Sequence, residues 1–262
     1  MEKIVKLNRS LVEITGPDAQ KLLHDTLTCN LSKQLGDTAS WFALLAPQGK
    51  VLVEGLITST KDGFLLDIPV SELENFSKRM RLYKMRANVT IEPREDLSAG
   101  WSASPVANSF QDKRANMGHR TYSASPEDWN DDTSTYHQNR ITQSIMEMGA
   151  DFETNSVFPH DIGMDQLEGV DFKKGCYIGQ EVVSRMQHRG TARKRPVAIT
   201  GVSLAVEQSI ISDSKSIGTI SSATGKTGLA LVRLDKVNDP DACEVDGNAV
   251  QLAIPQWASY AF

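Results

Sequence analysis

The sequence predicts an α+β chain that closes in an all-β module. Strand and helix patterns mix as far as about residue 190, and beyond Gly190 only short strands separated by turn residues remain. At 262 residues and 40% hydrophobic content, the chain is long enough for one large domain or two to three small ones with a normal buried core. We divide it into an α/β region over 1–190 and a β-barrel over 191–262.

The elements follow in order. Ser10-Leu11-Val12-Glu13-Ile14-Thr15 alternates as a strand does. Gly16-Pro17-Asp18 then starts a helix, with Leu22, Leu23 and Leu27 on its apolar face. Residues 51–59 and 64–68 read as strands joined by the turn Lys61-Asp62-Gly63. Ser71-Glu72-Leu73-Glu74 has the spacing of a capping box for a second helix, which buries Leu73, Phe76, Met80 and Tyr83. Residues 88–92 return as a strand, and the polar stretch from about 96 to 135 reads as loops with a little sheet. Helical spacing through Ile141 and Ile145 predicts a helix over 136–148, stopped by Gly149. Four short strands, around 196–199, 217–220, 228–232 and 250–254, make the closing barrel.

The formal net charge is −5, which argues against a protein that coats nucleic acid as a whole. The start, Met1 to Asn8, carries charges where a signal peptide needs an apolar core, and no apolar run approaches a membrane span. Three cysteines, Cys29, Cys176 and Cys243, lie far apart with no C-x-x-C pair, so neither a disulfide framework nor a zinc site fits. A reducing cytoplasm is the expected setting.

The most informative stretch runs from Lys173 to Gly190. It sets Cys176 between Gly175 and Gly179, behind Lys173 and Lys174, and ahead of a short helix. Glycines permit a tight turn, and positive charge with free helix-start N–H groups suits thiolate chemistry. Cys176 is either a small buried hydrophobe, the usual fate of a free cysteine, or a nucleophile, redox-sensitive thiol or transient metal ligand.

The run K-G-C-Y-x-G-Q-E at Lys174 to Glu181 resembles the signature of the YgfZ family of folate-binding-like proteins. These are relatives of the glycine-cleavage aminomethyltransferase and of a mitochondrial iron–sulfur assembly factor. The resemblance continues through Arg185 and Arg189-Gly190, and upstream through residues 149–154, Phe158-Pro159-His160-Asp161-Ile162-Gly163 and Leu45-Ala46-Pro47-Gln48-Gly49-Lys50. It implies an aminomethyltransferase-like three-lobed ring, with a discontinuous N-terminal α/β region of two interleaved lobes, a C-terminal β-barrel and a central opening that accepts a folate. It also implies a role in keeping iron–sulfur enzymes active, tRNA-modifying ones among them. The G-Y-T-G-E-D-G-F-E segment of the transferase branch has no counterpart here beyond Gly118-His119-Arg120.

Candidate site residues follow. Cys176 would do the thiol chemistry, with Lys174 beside it. Asp161 lies where the superfamily carries a carboxylate suited to a pterin's N–H donors. Glu54 falls near the transferase's catalytic aspartate, although a strand-surface glutamate is the plainer reading. Tyr177, Gln180, Glu181, Arg185 and Arg189 complete the proposed tetrahydrofolate contacts. Glu181 and Arg185 also have the spacing of an i,i+4 ion pair. The basic stretch from Arg185 to Arg195 is either a solvated linker or an anion clamp.

Three functions compete. The first is a tetrahydrofolate-binding accessory protein for assembly or repair of iron–sulfur proteins, with client or carrier proteins as partners and neither membrane nor nucleic acid involved directly. The second is a folate-dependent one-carbon (aminomethyl) transferase. The third is a module that grips protein or RNA through Arg185 to Arg195. No metal site of the chain's own is expected, since one cysteine cannot hold a cluster that needs four thiolates.

Overall fold

The computed structural model describes residues 3–32, 35–190 and 192–262. Met1 and Glu2 of the charged start, and Thr191 at the head of the expected barrel, lie outside the described residues. Nine strands form one sheet: β1 (Val5–Leu7), β2 (Arg9–Thr15), β3 (Thr38–Leu45), β4 (Val51–Ser59), β5 (Gly63–Pro69), β6 (Thr90–Pro93), β7 (Ser98–Ser102), β8 (Phe110–Asp112) and β9 (His119–Ser123). Their order is β1-β7-β9-β8-β3-β4-β5-β2-β6. The polar stretch after residue 96 thus supplies three strands of this sheet.

β3 places Trp41, Ala43 and Leu45 in one core, and Phe42 and Leu44 in the other. Both faces are covered, so its sequence shows an apolar run rather than alternation. The core holding Phe42 is roofed by α1 (Ala19–Thr26) and α2 (Leu73–Lys84). Leu22, Leu23 and Leu27 are buried there, as are Phe76 and Met80. The expected capping box of α2 does not form: a 3-10 turn over Val70–Glu72 leads in, and no side chain caps the helix. The opposite core takes α3 (Ser134–Thr142), which stops short of the predicted end because Ser144 adopts a left-handed φ of 55°.

The chain then runs through turns to a 3-10 turn at Pro159–Ile162 and to α4 (Gln180–Arg189). A closed six-stranded barrel follows, of β10 (Lys194–Thr200), β11 (Ser209–Ser212), β12 (Lys215–Thr224), β13 (Thr227–Arg233), β14 (Cys243–Val245) and β15 (Asn248–Ala253). β10 pairs with β15 to close it, which removes free edges. The two strands beyond the four expected, β11 and β14, are only 4 and 3 residues long, too short for a periodic signal. No helix among the described residues is long and apolar enough to cross a membrane.

Polar anchors fix the barrel. Arg195 of β10 donates to both carboxylate oxygens of Asp165 and to the His160 carbonyl. Arg140 of α3 bonds Asp151 at 2.5 Å and Ser222 of β12 at 2.8 Å.

Candidate functional site

Cys176 is exposed, whereas Cys29 and Cys243 are buried. The small-hydrophobe reading of Cys176 is thereby corrected. Cys29 is such a hydrophobe, its thiol pushed up to about 12 by burial. Cys176 lies in an extended loop four residues ahead of α4.

Lys174 holds this loop. Its side chain is buried, and Nζ donates to the carbonyls of His24 (2.5 Å), Leu27 (2.6 Å) and Cys29 (2.8 Å). These oxygens end or follow α1, where helix carbonyls lack intrahelical donors and the dipole favours a cation. The ammonium uses all three N–H donors on them, so Lys174 is a clamp for the loop rather than a chemical partner of the thiol. Burial lowers Lys174 to about 8 against the pull of neighbouring acids. Asp171 supports the same turn, accepting from the backbone N–H groups of Lys173 and Lys174.

Behind Cys176 the loop touches the Leu45-to-Lys50 turn. A side chain at Gly179 would meet the Ala46 carbonyl oxygen at 2.6 Å, and one at Gly49 would meet Val182 at 2.9 Å. Both glycines hold left-handed φ near 80°. Only glycine meets both demands without strain, so the two stretches that carry the family resemblance are packed backbone to backbone. Gly175 needs neither: its φ is not positive and nothing lies within 4 Å.

The remaining loop and α4 residues divide. Tyr177 is buried, its hydroxyl without a partner, and burial raises it above the usual phenol range. Glu181 and Arg185 form the i,i+4 ion pair at 2.6 Å with both side chains exposed. Gln180 is half-buried, and Arg189 is exposed. Arg193 and Lys194 are also exposed, while Arg195 is held by Asp165, so the basic stretch is not one surface. Asp161 accepts the Phe158 backbone N–H at 2.9 Å and caps its own turn; burial raises its carboxyl. Its neighbour His160 reaches Gln187 of α4 through Nε2 at 3.1 Å.

Glu54 is not on a strand surface. It is 1% exposed, accepts from Trp41 Nε1 at 2.6 Å, and lies 3.9 Å from Arg9. It shares a sheet face with Leu56, toward the core that holds Trp41 and Met148. It belongs to a buried charged network that sequence reasoning missed. Arg9 bonds Asp67 at 2.5 Å, Arg114 grips Asp112 through two nitrogens, and Arg120 donates to Tyr136 at 3.0 Å. Tyr136 in turn donates to Glu147. Arg120 Nε and Nη1 are buried without a hydrogen-bond partner, although Asp67 and Asp112 lie within 4 Å of Nε.

A cavity of about 320 Å³ opens on this network, lined by Arg9, Tyr136, His137, Glu147 and Met148 among others. Burial works to raise Glu147, but Arg9, Arg140 and the Tyr136 hydroxyl outweigh it and hold the carboxyl down at about 2. His137 is lowered by burial and by Arg140, whose Nε donates to its Nδ1. The cavity therefore offers an ionised carboxylate, a guanidinium, a phenol and a neutral imidazole in its lining. Among the described residues, no three His, Cys, Asp or Glu side chains gather as a metal site.

With that geometry in view, the glycine cleavage system aminomethyltransferase T of Bartonella henselae is the informative structural comparison. Its crystal structure matches with a TM-score of 0.76 over 97% of this chain and 86% of that one, at 11% identity. The fold is aminomethyltransferase-like. Residues 193–260 match the family described as CAF17, C-terminal β-barrel domain. In sequence the chain is similar to the iron–sulfur cluster assembly factor IBA57, mitochondrial, of Mus musculus and of Homo sapiens, each at 27% identity over 95% of this chain and 83% of the relative. The Pyricularia oryzae homologue is 29% identical over 88% of this chain and 72% of its own length. These relatives are mitochondrial by name, which overturns the cytoplasmic setting expected from the cysteine count and the charged start.

Proposed function

We propose that this chain is an accessory factor for assembly or repair of iron–sulfur proteins, tRNA-modifying enzymes among them, and that it binds tetrahydrofolate and acts through the Cys176 thiol. This places it on the YgfZ side of the fold, with residues 1–190 and 191–262 as its two units. One observation carries the reading: the single exposed cysteine lies on a loop clamped by Lys174 and Gly179, in an aminomethyltransferase-like fold whose sequence is similar to iron–sulfur assembly factors. A cluster needs several ligands, so it would be cargo, its other ligands coming from a client, a carrier or a small thiol.

The residues of the cavity beside Glu147 fit a folate. A pterin presents N–H donors beside acceptors, and its tail carries carboxylates. Glu147 would accept from the ring, Arg9 would meet anionic or carbonyl oxygens, and Tyr136 and His137 would line the ring. When bound, the folate supplies one-carbon carrying capacity. Glu54 is less suited than Glu147 because both its oxygens already accept from Trp41 and the Met148 backbone N–H, and Asp161 because it does not line this cavity.

Calorimetric titration of tetrahydrofolate into wild type and Glu147→Gln tests the cavity; equal affinity for both would remove it from the reading. Restoration of iron–sulfur enzyme activity in a deletion strain by Cys176→Ala, equal to wild type, would remove the thiol. The second reading, a one-carbon transferase, is favoured by the fold match. Formation of methylene-tetrahydrofolate from an aminomethyl donor by pure protein is its test, and no turnover with any donor counts against it.

A further inference from the structure

Lys78, Arg79, Arg81, Lys84 and Arg86 fall within nine residues at the end of α2 and the turn beyond, in a chain of net charge −5. Among the described residues none of them forms an ion pair. Arg79 alone has a side-chain partner, the Asn75 carbonyl. α2 buries Phe76 and Met80 in the core, so helical spacing turns Lys78, Arg81 and Leu82 outward together. Leu82 is 67% and Met85 85% exposed, and with Val70 at 46% they make half of the six exposed large hydrophobics among the described residues.

Folding alone does not account for this face. Met85 holds φ at 44° and ψ at −106°, where non-glycine residues are rarely found, and this strained turn leaves its side chain in solvent. Beside it runs an open cleft of about 860 Å³ whose apolar lining is Val70, Leu73, Leu82 and Pro93, with Lys78 and Arg81 at its rim. Glu74 lies in the first turn of α2 and Arg81 and Lys84 in its last, so the charge along the helix is graded.

We propose that this face docks an acidic amphipathic segment of a partner protein. Its apolar side chains enter the cleft and its carboxylates meet Lys78, Arg81 and Arg86, with the segment's most acidic end directed away from Glu74. Charge complementarity selects an acidic partner. The cleft selects a segment with side-chain anchors over a flat lipid surface. The absence of an exposed aromatic on the face selects protein over single-stranded RNA; Tyr83 packs against the core. The inference depends on neither the folate cavity nor Cys176.

The probe is a fluorescein-labelled peptide of about 18 residues with Leu at helical spacing and Glu elsewhere, read by anisotropy against the full chain. A scrambled peptide of the same composition is the control. The peptide is expected to bind wild type at least about tenfold more tightly than a Lys78→Glu, Arg81→Glu variant at low salt. Binding should weaken steeply as salt rises from about 0.05 to 0.5 M. Leu82→Ser should lose about fivefold while keeping the salt dependence. All three positions are exposed, and unchanged thermal midpoints would show that the variants fold. Equal binding of the scrambled peptide, or of the charge-reversed variant, overturns the proposal. So does capture by vesicles of about 30% phosphatidylglycerol that depends on the same residues, or a dimer of this chain that Lys78→Glu, Arg81→Glu dissolves.

Discussion

Lys174 Nζ donates to the Leu27 carbonyl oxygen at 2.6 Å, across 147 positions of sequence. The residue two places before the exposed thiol is thereby tied to the end of α1, which roofs one face of the nine-stranded sheet. This long-range bond holds the loop that carries Cys176 to that helix end.

Lys174→Met should therefore cost about 2–4 kcal/mol in unfolding free energy, because three buried carbonyls lose their donor. Lys174→Arg should recover part of it. Denaturant titration measures the loss. Hydrogen exchange should show new opening confined to the Lys173–Gly179 loop and the end of α1. Wild-type stability in Lys174→Met would mean that the clamp contributes nothing.

The two glycines around Cys176 should behave differently. Gly179→Ala places a methyl 2.6 Å from the Ala46 oxygen at a φ of 79°, so about 2–3 kcal/mol of destabilisation is expected. Gly175→Ala meets open space and should fall within about 0.5 kcal/mol of wild type. Thermal melts of the pair separate a requirement for close approach from a general need for a flexible loop. Equal losses in both would contradict the geometry.

These contrasts explain what was legible in the sequence. The helices over Leu22–Leu27 and Phe76–Met80, and the hairpin at Lys61-Asp62-Gly63, carry their own periodic or turn signals and appear as expected. β3 does not, because burial on both faces erases alternation. Cys176 stands out through its local motif. The network of Arg9, Glu54, Asp67, Arg120, Tyr136 and Glu147 does not, because its members come from four strands, a helix and a loop far apart in sequence. A buried arginine reads as a surface one until its partners are in place. The one faint signal was Arg120, in the Gly118-His119-Arg120 remnant.

That network makes a pH prediction. Arg9, Arg140 and Tyr136 hold Glu147 at about 2, against 4.5 for an ordinary glutamate, despite its burial. Between these values the unfolded chain binds the proton and the folded chain does not. The stabilisation is present above about pH 4.5 and is lost as pH falls toward 2, roughly 2 kcal/mol after allowance for the cavity-facing side. Unfolding free energy measured from pH 6 to 2.5 should therefore fall less steeply in Glu147→Gln than in wild type. Parallel curves would mean that Glu147 titrates as an ordinary carboxylate.

Cys176→Ser separates stability from function. The thiol is exposed, so its replacement should leave the thermal midpoint within about 1–2 °C of wild type. Cys29→Ser places a hydroxyl where a buried sulfur packs among Leu27, Leu31 and Leu35, and should cost about 1–3 kcal/mol. If the proposed function is right, activity and stability dissociate. Cys176→Ser folds normally and fails to sustain iron–sulfur enzyme activity in a deletion strain, whereas Cys29→Ser loses activity only in proportion to lost protein. A Cys176→Ser protein that melts early would make the loop thiol a packing residue after all. One that melts normally and restores full enzyme activity would leave the fold with a clamped, exposed cysteine that does no chemistry.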